Sequence, residues 1–336
     1  MSGGVDSSVT AALLLEEGRL CKGVTLKLFD KAWNGIIDAR LAAEKLGITH
    51  SVLDFSETFR GKVIRYFIES YEQGLTPNPC VTCNRFIKFG RLFSEISFLD
   101  CGSLATGHYA QVEKSGSRFL LKKAVDAKKD QSYVLFTLNQ ETLARICFPL
   151  GALTKKEVRE IALMRNLVNA KKEESQDICF VPDGDYGAFI ETYTGKYYPH
   201  GDILDPEGNV IGVHRGIVRY TLGQRRGLGV AMNHPIYVSA KDVTSNTVTL
   251  GPESSLYSKT LRAGNINLIA CENLEKPLKV NVKTRYLQAE RPAWVVQTGA
   301  DEIRVDFDEA QRAITPGQAA VLYDGDIVVG GGIIKA

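Results

Sequence analysis

The chain has 336 residues, room for two or three domains with separate cores. Its 44% hydrophobic and 24% charged residues and its net charge of +2 are ordinary for a soluble globular protein and point to no single class of partner. No apolar run approaches the ~18 residues of a membrane span, and the N-terminus lacks the pattern of a signal peptide; a cytoplasmic chain without a membrane anchor is expected.

Taken in order, the first elements alternate helix and strand. "SGGVDSSVTAALL" (Ser2–Leu14) is a glycine-rich entry into an apolar helix, and "KGVTLKLF" (Lys22–Phe29) is a β-branched strand. A helix over Asp38–Gly47 ends on glycine, "THSVLDF" (Thr49–Phe55) is a second strand, and a long amphipathic helix runs from Ser56 through Arg60–Tyr71. After the loop "GLTPNPCVTCN" come a helix over Arg85–Leu99 and a short strand over Ser103–His108. Strands separated by helices of this length imply right-handed crossovers and a Rossmann-like parallel sheet with helices on both faces. Beyond Thr194 the strands shorten between Gly, Asp-Pro and Asn turns. From Leu261 onward, "LKVNVKTRY", "AWVVQTG", "EIRVDF" and "QAAVLYDGDIVVGGGII" alternate with a period near two, the pattern of a small antiparallel β-barrel. The expected organisation is an α/β domain over 1–193, a small β-rich domain over 194–256 and a barrel over 257–336.

Three stretches carry chemistry. In the first, Ser2, Gly3 and Gly4 let backbone N–H groups approach a ligand, and Val5, Asp6, Ser7 and Ser8 open the helix. Free amides at the positive end of a helix favour phosphate or pyrophosphate. The G-K-[ST] ending of a Walker A loop is missing, and so is G-x-G-x-x-G. Ser7 and Ser8 suit phosphate contacts, while Asp6 suits a role in orienting a metal or the loop, or a helix cap.

The second is sulfur. Seven cysteines, an odd number, do not read as a disulfide framework. Cys21, Cys101, Cys147 and Cys271 sit in apolar stretches and read as buried small hydrophobes. Cys80 and Cys83 form a C-x-x-C at the start of a helix that carries Arg85 and Lys88, where thiol pKa values are expected to fall. Half a zinc site would look similar, but no second pair has suitable spacing. Cys179 lies far along the chain and joins them only in space. The third stretch is basic: Val210–Ala240 holds Arg215, Arg219, Arg225 and Arg226, together with Tyr220, and no carboxylate, which suits a surface tracking a phosphate backbone. Lys128, Lys129, Lys171, Lys172 and "KTRYLQ" (Lys283–Gln288) add smaller clusters.

The opening "SGGVDS" resembles the PP-loop of enzymes that split ATP into AMP and pyrophosphate. "TPNPCVTCNRFIKFG", "ATGHYA", "KKDQSYVL", "SQDICFV" and "RYTLGQRRGLGV" follow it in order, and together they resemble the tRNA-specific 2-thiouridylase family over nearly the whole chain. That resemblance implies ATP-dependent replacement of O2 of the wobble uridine by sulfur. It implies ATP contacts from Ser2, Gly3, Gly4, Val5, Asp6, Ser7, Ser8, Leu28, Gly107 and His108, with Mg²⁺ on the phosphates; His108 also reads as a satisfied core histidine. Cys83 and Cys179 become the sulfur-handling pair, a persulfide on Cys179 and a Cys83–Cys179 disulfide once sulfur has left. Many members carry Asp where this chain has Cys80, and another branch pairs three cysteines with an iron–sulfur cluster, so Cys80, Cys83 and Cys179 are also possible ligands of a 4Fe–4S cluster. The implied RNA contacts are Lys129, Asp130, Gln131, Ser132, Tyr133, Arg219, Arg225, Arg226, Arg285 and Tyr286, with Gln131 reading a flipped base. The expected partners are the tRNAs for Lys, Glu and Gln and a sulfur donor: a cysteine desulfurase, a relay protein or sulfide.

Two departures stand out. The family carries an apolar strand ahead of the loop, whereas this sequence opens on Met1-Ser2: either the true start lies upstream, or the loop is anchored on one side only and the ATP site is weakened. "FDKAWNGIIDAR" (Phe29–Arg40) is shorter than the family's counterpart. Two other functions compete: a PP-loop ligase or amidotransferase, which needs none of the three cysteines, and a weakly active tRNA-binding paralogue.

Overall fold

The structure, a computed structural model, describes residues 1–29, 33–170, 172, 178–181, 183–230 and 232–336, without the side chains of 33 and 34. Lys171, Ser175–Asp177 of "SQDICFV" and residues 30–32 of the shortened segment lie outside the described residues. Helix α1 (Val5–Glu16) leads into β1 (Lys22–Lys27), α2 (Trp33–Leu46) and β2 (Thr49–Asp54), with β1 and β2 parallel. A continuous helix spans 56–72 and another 79–95, each with a π-helical stretch inside it (Arg60–Ile64 and Asn84–Arg91). Next comes β3 (Leu104–Ala105), shorter than the strand expected there. The hairpin of β4 (Gln111–Ser115) and β5 (Arg118–Lys122) precedes β6 (Ile146–Cys147), which pairs with β3 in parallel.

The parallel sheet is thus in two pieces, β1–β2 and β3–β6. Met1 lies against β1, where the Thr25 hydroxyl donates to its carbonyl at 2.7 Å. Burial lowers its ammonium pKa from the ordinary 8.0 to about 6.

The central unit holds β7 (Gly201–Leu204), β8 (Val210–His214), β9 (Tyr237–Asp242) and β10 (Thr247–Gly251) in the order β8-β7-β10-β9. Six strands then close a barrel: β11 (Tyr257–Leu268), β12 (Leu278–Lys283), β13 (Arg291–Gly299), β14 (Glu302–Arg312), β15 (Ala319–Asp324) and β16 (Ile327–Ile334). Their order is β11-β14-β13-β12-β15-β16, and β11 pairs back onto β16. Alternation drives the closure: Val280 and Val282, Ala293 and Val295, and Ile303, Val305 and Phe307 point inward along their strands.

The three units share cores. One cluster joins Phe59, Phe67 and Phe180 of the α/β domain to Ile203, Val238 and Val248 of the central sheet. A second joins Tyr133, Leu135 and Phe136 to Val321, Tyr323 and Val328 of the barrel. The β4–β5 hairpin extends the barrel sheet through the pairing of Lys122 with Ile327. Cores that cross boundaries fix the units against one another, since separating them re-exposes apolar area at about 25 cal/mol per Å².

Candidate active site

The glycine-rich loop is shaped by what it must approach. Gly3 has φ +74°, and a Cβ there would lie 2.3 Å from the Gly35 carbonyl of α2. Gly4 caps α1 with no side-chain hydrogen bond. By contrast, the helix Lys155–Met164 has a full capping box from Thr154 and Glu157. A cap of that kind is worth about 1 kcal/mol; α1 forgoes it, and its first-turn N–H groups remain suited to an anion.

Side chains from distant segments hold the loop. Asn169 donates to the Gly4 carbonyl at 3.0 Å and to Ser8 Oγ at 2.8 Å. Lys172 reaches the Gly3 carbonyl at 3.3 Å and pairs with Asp38 at 2.5 Å. Ser7 Oγ accepts from the Ser2 N–H at 3.0 Å and donates to the Gly4 carbonyl at 3.1 Å. Asp6 is not a helix cap: its carboxylate takes the Tyr109 hydroxyl at 2.9 Å and the Lys155 ammonium at 2.6 Å. Asn169, Tyr109 and Lys155 carried no sequence signal, because each is recruited only by folding. Leu28, just past β1, is half-buried against the core that contains Phe59.

The end of β3 brings this loop and the cysteines together. At Gly107 a Cβ would lie 2.9 Å from the Asp6 carbonyl carbon and 3.0 Å from the Ser7 nitrogen, so only glycine lets the chain pass this close. The next residue, His108, is buried between the Phe89 and Phe148 rings. Lys88 donates to its Nε2 at 3.3 Å, which leaves Nδ1–H to donate to Thr106 Oγ1 at 2.7 Å. Burial and then the Lys88 charge push the imidazole pKa far below 6.5, so it is neutral at pH 7. His108 therefore reads as a core histidine that braces Lys88, with Gly107 as the contact to the PP-loop.

The Lys88 charge acts on Cys80, Cys83 and Cys179. Asn78 caps the helix start at Pro79–Cys83 by accepting the Cys80 N–H at 3.1 Å, and buried Asn84 fastens the next turn to the Val134 carbonyl at 2.9 Å. Cys179 lies close enough that Cys83 and Cys80 act on its charge. All three are free thiols, and Cys80 and Cys179 keep exposed surface. Here the structure corrects the expectation of lowered pKa values. Desolvation by the crowded protein around each sulfur raises Cys80 and Cys83, outweighing the lowering effect of Lys88, and pushes Cys179 up to about 12. The other four cysteines are half-buried rather than buried. Among the described residues no group of three His, Cys, Asp or Glu side chains is arranged to hold a metal ion.

A raised pKa has a measurable sign. Alkylation of Cys83 by iodoacetamide is expected to rise about tenfold per pH unit through neutral pH, without levelling off below the ordinary thiol value of 9.0. Lys88→Met should slow it further. A plateau near pH 7, read by peptide mass spectrometry, would contradict the desolvated thiol.

Of the residues implied for RNA, Arg225 and Arg226 are exposed. Gln131 accepts the Tyr109 N–H at 3.0 Å through Oε1, and Lys129 is half-buried beside it. The others are engaged inside the protein. Tyr133 is fully buried and donates to the Ala319 carbonyl at 2.9 Å; Ser132 is buried and donates to Asp130 at 2.8 Å. Arg219 is drawn to Glu191 at 2.9 Å and Asp185 at 3.4 Å, carboxylates outside its own acid-free segment. Arg285 donates to the carbonyls of Leu222 and Ala313, and Tyr286 packs on Tyr133 with ring centroids 6.0 Å apart. In this conformation Tyr133, Ser132, Arg219 and Arg285 each have a protein partner.

An α/β domain with a PP-loop at a bare helix N-terminus, followed by a small β unit and a closed barrel, defines an ATP-using enzyme of the HUP class. Residues 1–183 match the family described as the tRNA methyl transferase HUP domain, 187–252 its PRC-barrel domain, and 258–334 the aminomethyltransferase β-barrel domain. Over 100% of its length the chain is 46% identical to the tRNA-specific 2-thiouridylase MnmA of Acetivibrio thermocellus, covering 98% of that protein. It is 47% identical to MnmA 1 of Caldanaerobacter subterraneus and 45% to MnmA of Clostridioides difficile, again over 100% of this chain and 96% of each relative. The chain belongs to the tRNA-specific 2-thiouridylase family. No helix among the described residues is long and apolar enough to cross a membrane.

Proposed function

We propose that the chain is an ATP-dependent tRNA sulfurtransferase that converts the wobble uridine to 2-thiouridine. The observation that carries this reading is the strand end at Gly107–His108, which touches the PP-loop on one side and holds Lys88 beside Cys80 and Cys83 on the other. Activation and sulfur delivery then act on one base.

The uridine O2 attacks the α-phosphorus of ATP and pyrophosphate leaves, turning a poor leaving group into an adenylate. The α1 N-terminus, Ser7 and Lys172 suit the phosphates; Asp6 would hold Mg²⁺, which would neutralise charge as pyrophosphate departs. The terminal sulfur of a Cys179 persulfide attacks C2 and AMP leaves. The Cys83 thiolate then attacks the Cys179 sulfur, giving a Cys83–Cys179 disulfide and releasing thiouridine. Sulfide attacking that disulfide at Cys179 restores the persulfide and the Cys83 thiol, so electrons balance; with a desulfurase or relay-protein persulfide as donor, a dithiol would first reduce the disulfide, and the freed Cys179 thiolate would then take the outer sulfur and release the donor thiol. No step here is routed through an iron–sulfur cluster; Cys80, Cys83 and Cys179 are the residues that would hold one.

Exposed Arg225 and Arg226, with Lys129 and Gln131, are proposed to hold the tRNA, the favoured substrates being those for Lys, Glu and Gln. The test is mass spectrometry of the wobble nucleoside after incubation of tRNA with the chain, ATP, Mg²⁺ and sulfide. Thiouridine formed only with ATP is expected. An amidated or ligated product, or tRNA binding without pyrophosphate release, would replace this reading with one of its rivals.

A further inference from the structure

We propose that Arg285 is a positioning residue for sulfur transfer, not an RNA contact. It fastens the barrel loop 313–318 between the basic segment of the central unit and the loop that carries Cys80 and Cys83. The inference rests on the thiolation reading above.

The guanidinium makes three bonds at one junction: to the Leu222 carbonyl at 3.0 Å, to the Ala313 carbonyl at 3.3 Å and to Thr315 Oγ1. Leu222 lies three residues before Arg225. Beside it Gly223, at φ +82°, leaves only 2.9 Å between a Cβ and the Ala313 methyl, so the two loops are in direct contact. On its other side loop 313–318 grips the entry to the C-x-x-C. The Thr76 N–H donates to the Pro316 carbonyl at 2.9 Å, and Gln318 Nε2 donates to the Thr76 carbonyl at 2.8 Å. At Gly317, φ +91°, a Cβ would stand 2.9 Å from the Thr76 nitrogen. Thr76 is four residues from Cys80.

The same junction leaves Arg285 Nε and Thr76 Oγ1 buried without a partner among the described residues. Such groups are retained where the arrangement serves something other than stability. All three bonds come from one nitrogen, Nη2, which is thereby committed to the protein, and burial desolvates the guanidinium around it.

Arg285→Ala, Arg285→Lys and Gln318→Ala are compared in the full chain, with a tRNA transcript, ATP, Mg²⁺ and sulfide. Two readouts are taken: kcat and KM for tRNA, and iodoacetamide labelling of Cys80 and Cys83 without tRNA or ATP. For Arg285→Ala, kcat is expected to fall about tenfold or more with KM within about twofold, as a loop displaced by a fraction of an ångström would give. Labelling of Cys80 should quicken several-fold, with Arg285→Lys between it and the parent. Gln318→Ala, which holds Thr76 from the barrel side, should shift labelling the same way. A raised KM with kcat and labelling unchanged would assign Arg285 to RNA and overturn the proposal. If Arg285→Ala does not fold, unchanged labelling in both Arg285→Lys and Gln318→Ala overturns it equally. Should the parent make no thiouridine, the thiolation reading fails, and labelling still decides whether Arg285 positions the loop.

Discussion

Serine at Cys83 or at Cys179 is expected to abolish thiouridine formation while leaving ATP-dependent pyrophosphate release largely intact. The hydroxyl is nearly isosteric but neither carries sulfane sulfur nor closes a disulfide, so the loss should reach at least about a thousandfold. Cys83 sits on the helix fastened by Asn78 and Asn84, which limits how far its position can drift in the variant. Cys80→Ser separates the sulfur routes. It shares the C-x-x-C turn and keeps exposed surface, yet two cysteines suffice for persulfide transfer. Activity within about tenfold of the parent is expected for Cys80→Ser, read by mass spectrometry of the wobble nucleoside. Loss equal to that of Cys83→Ser would require all three thiols and restore the cluster route. Thiolation persisting in Cys179→Ser would remove the persulfide from the mechanism.

Gly3→Ala should have the second largest effect, and on the other half of the reaction. Its φ of +74° disfavours any side chain, and the added Cβ would lie 2.3 Å from the Gly35 carbonyl oxygen, an atom of the α2 backbone. The contacts are the Gly35 carbonyl group and, at 3.0 Å, the Asp38 Cβ, so either the loop or α2 must move. A shift of about 1 Å at a phosphate cradle costs roughly a hundredfold in rate, and pyrophosphate release measured with radiolabelled ATP should fall by that order. Gly4→Ala is the control. Gly4 has φ −95°, open to any residue, and the nearest atom to its Cβ is the mobile Ser2 hydroxyl at 3.4 Å. It should lose no more than a few-fold. Equal losses at Gly3 and Gly4 would mean that the loop fails through general loosening, not through the close approach to α2.

Legibility followed the range of the interactions. The α/β alternation, the barrel and the PP-loop are written in local patterns: apolar spacing, glycine at tight turns, and a period of two along strands that face one core. The barrel strands Leu278–Lys283 and Arg291–Gly299 therefore lie where their alternation places them. The division of the parallel sheet into two pairs and the joining of the β4–β5 hairpin to the barrel were not legible, because each depends on pairings between distant segments. Among site residues, Asp6, Ser7 and the cysteines announce themselves by motif. Asn169, Lys155 and Tyr109 do not, since an asparagine or lysine on a polar stretch looks like any solvated side chain until folding brings it to the loop.

What the sequence by itself determined is the family, the order of three units and the kind of chemistry: a phosphate-binding helix start and thiols in one chain. Spacing and residue type suffice for these, because a helix terminus and a C-x-x-C carry their reactivity locally. Only the tertiary structure decided the state of that chemistry. Burial, a property of all neighbouring segments at once, turned the expected acidic thiols into protonated ones and made His108 a neutral brace for Lys88. It also gave Arg219 and Arg285 protein partners, because the carboxylates and carbonyls that hold them come from other parts of the chain.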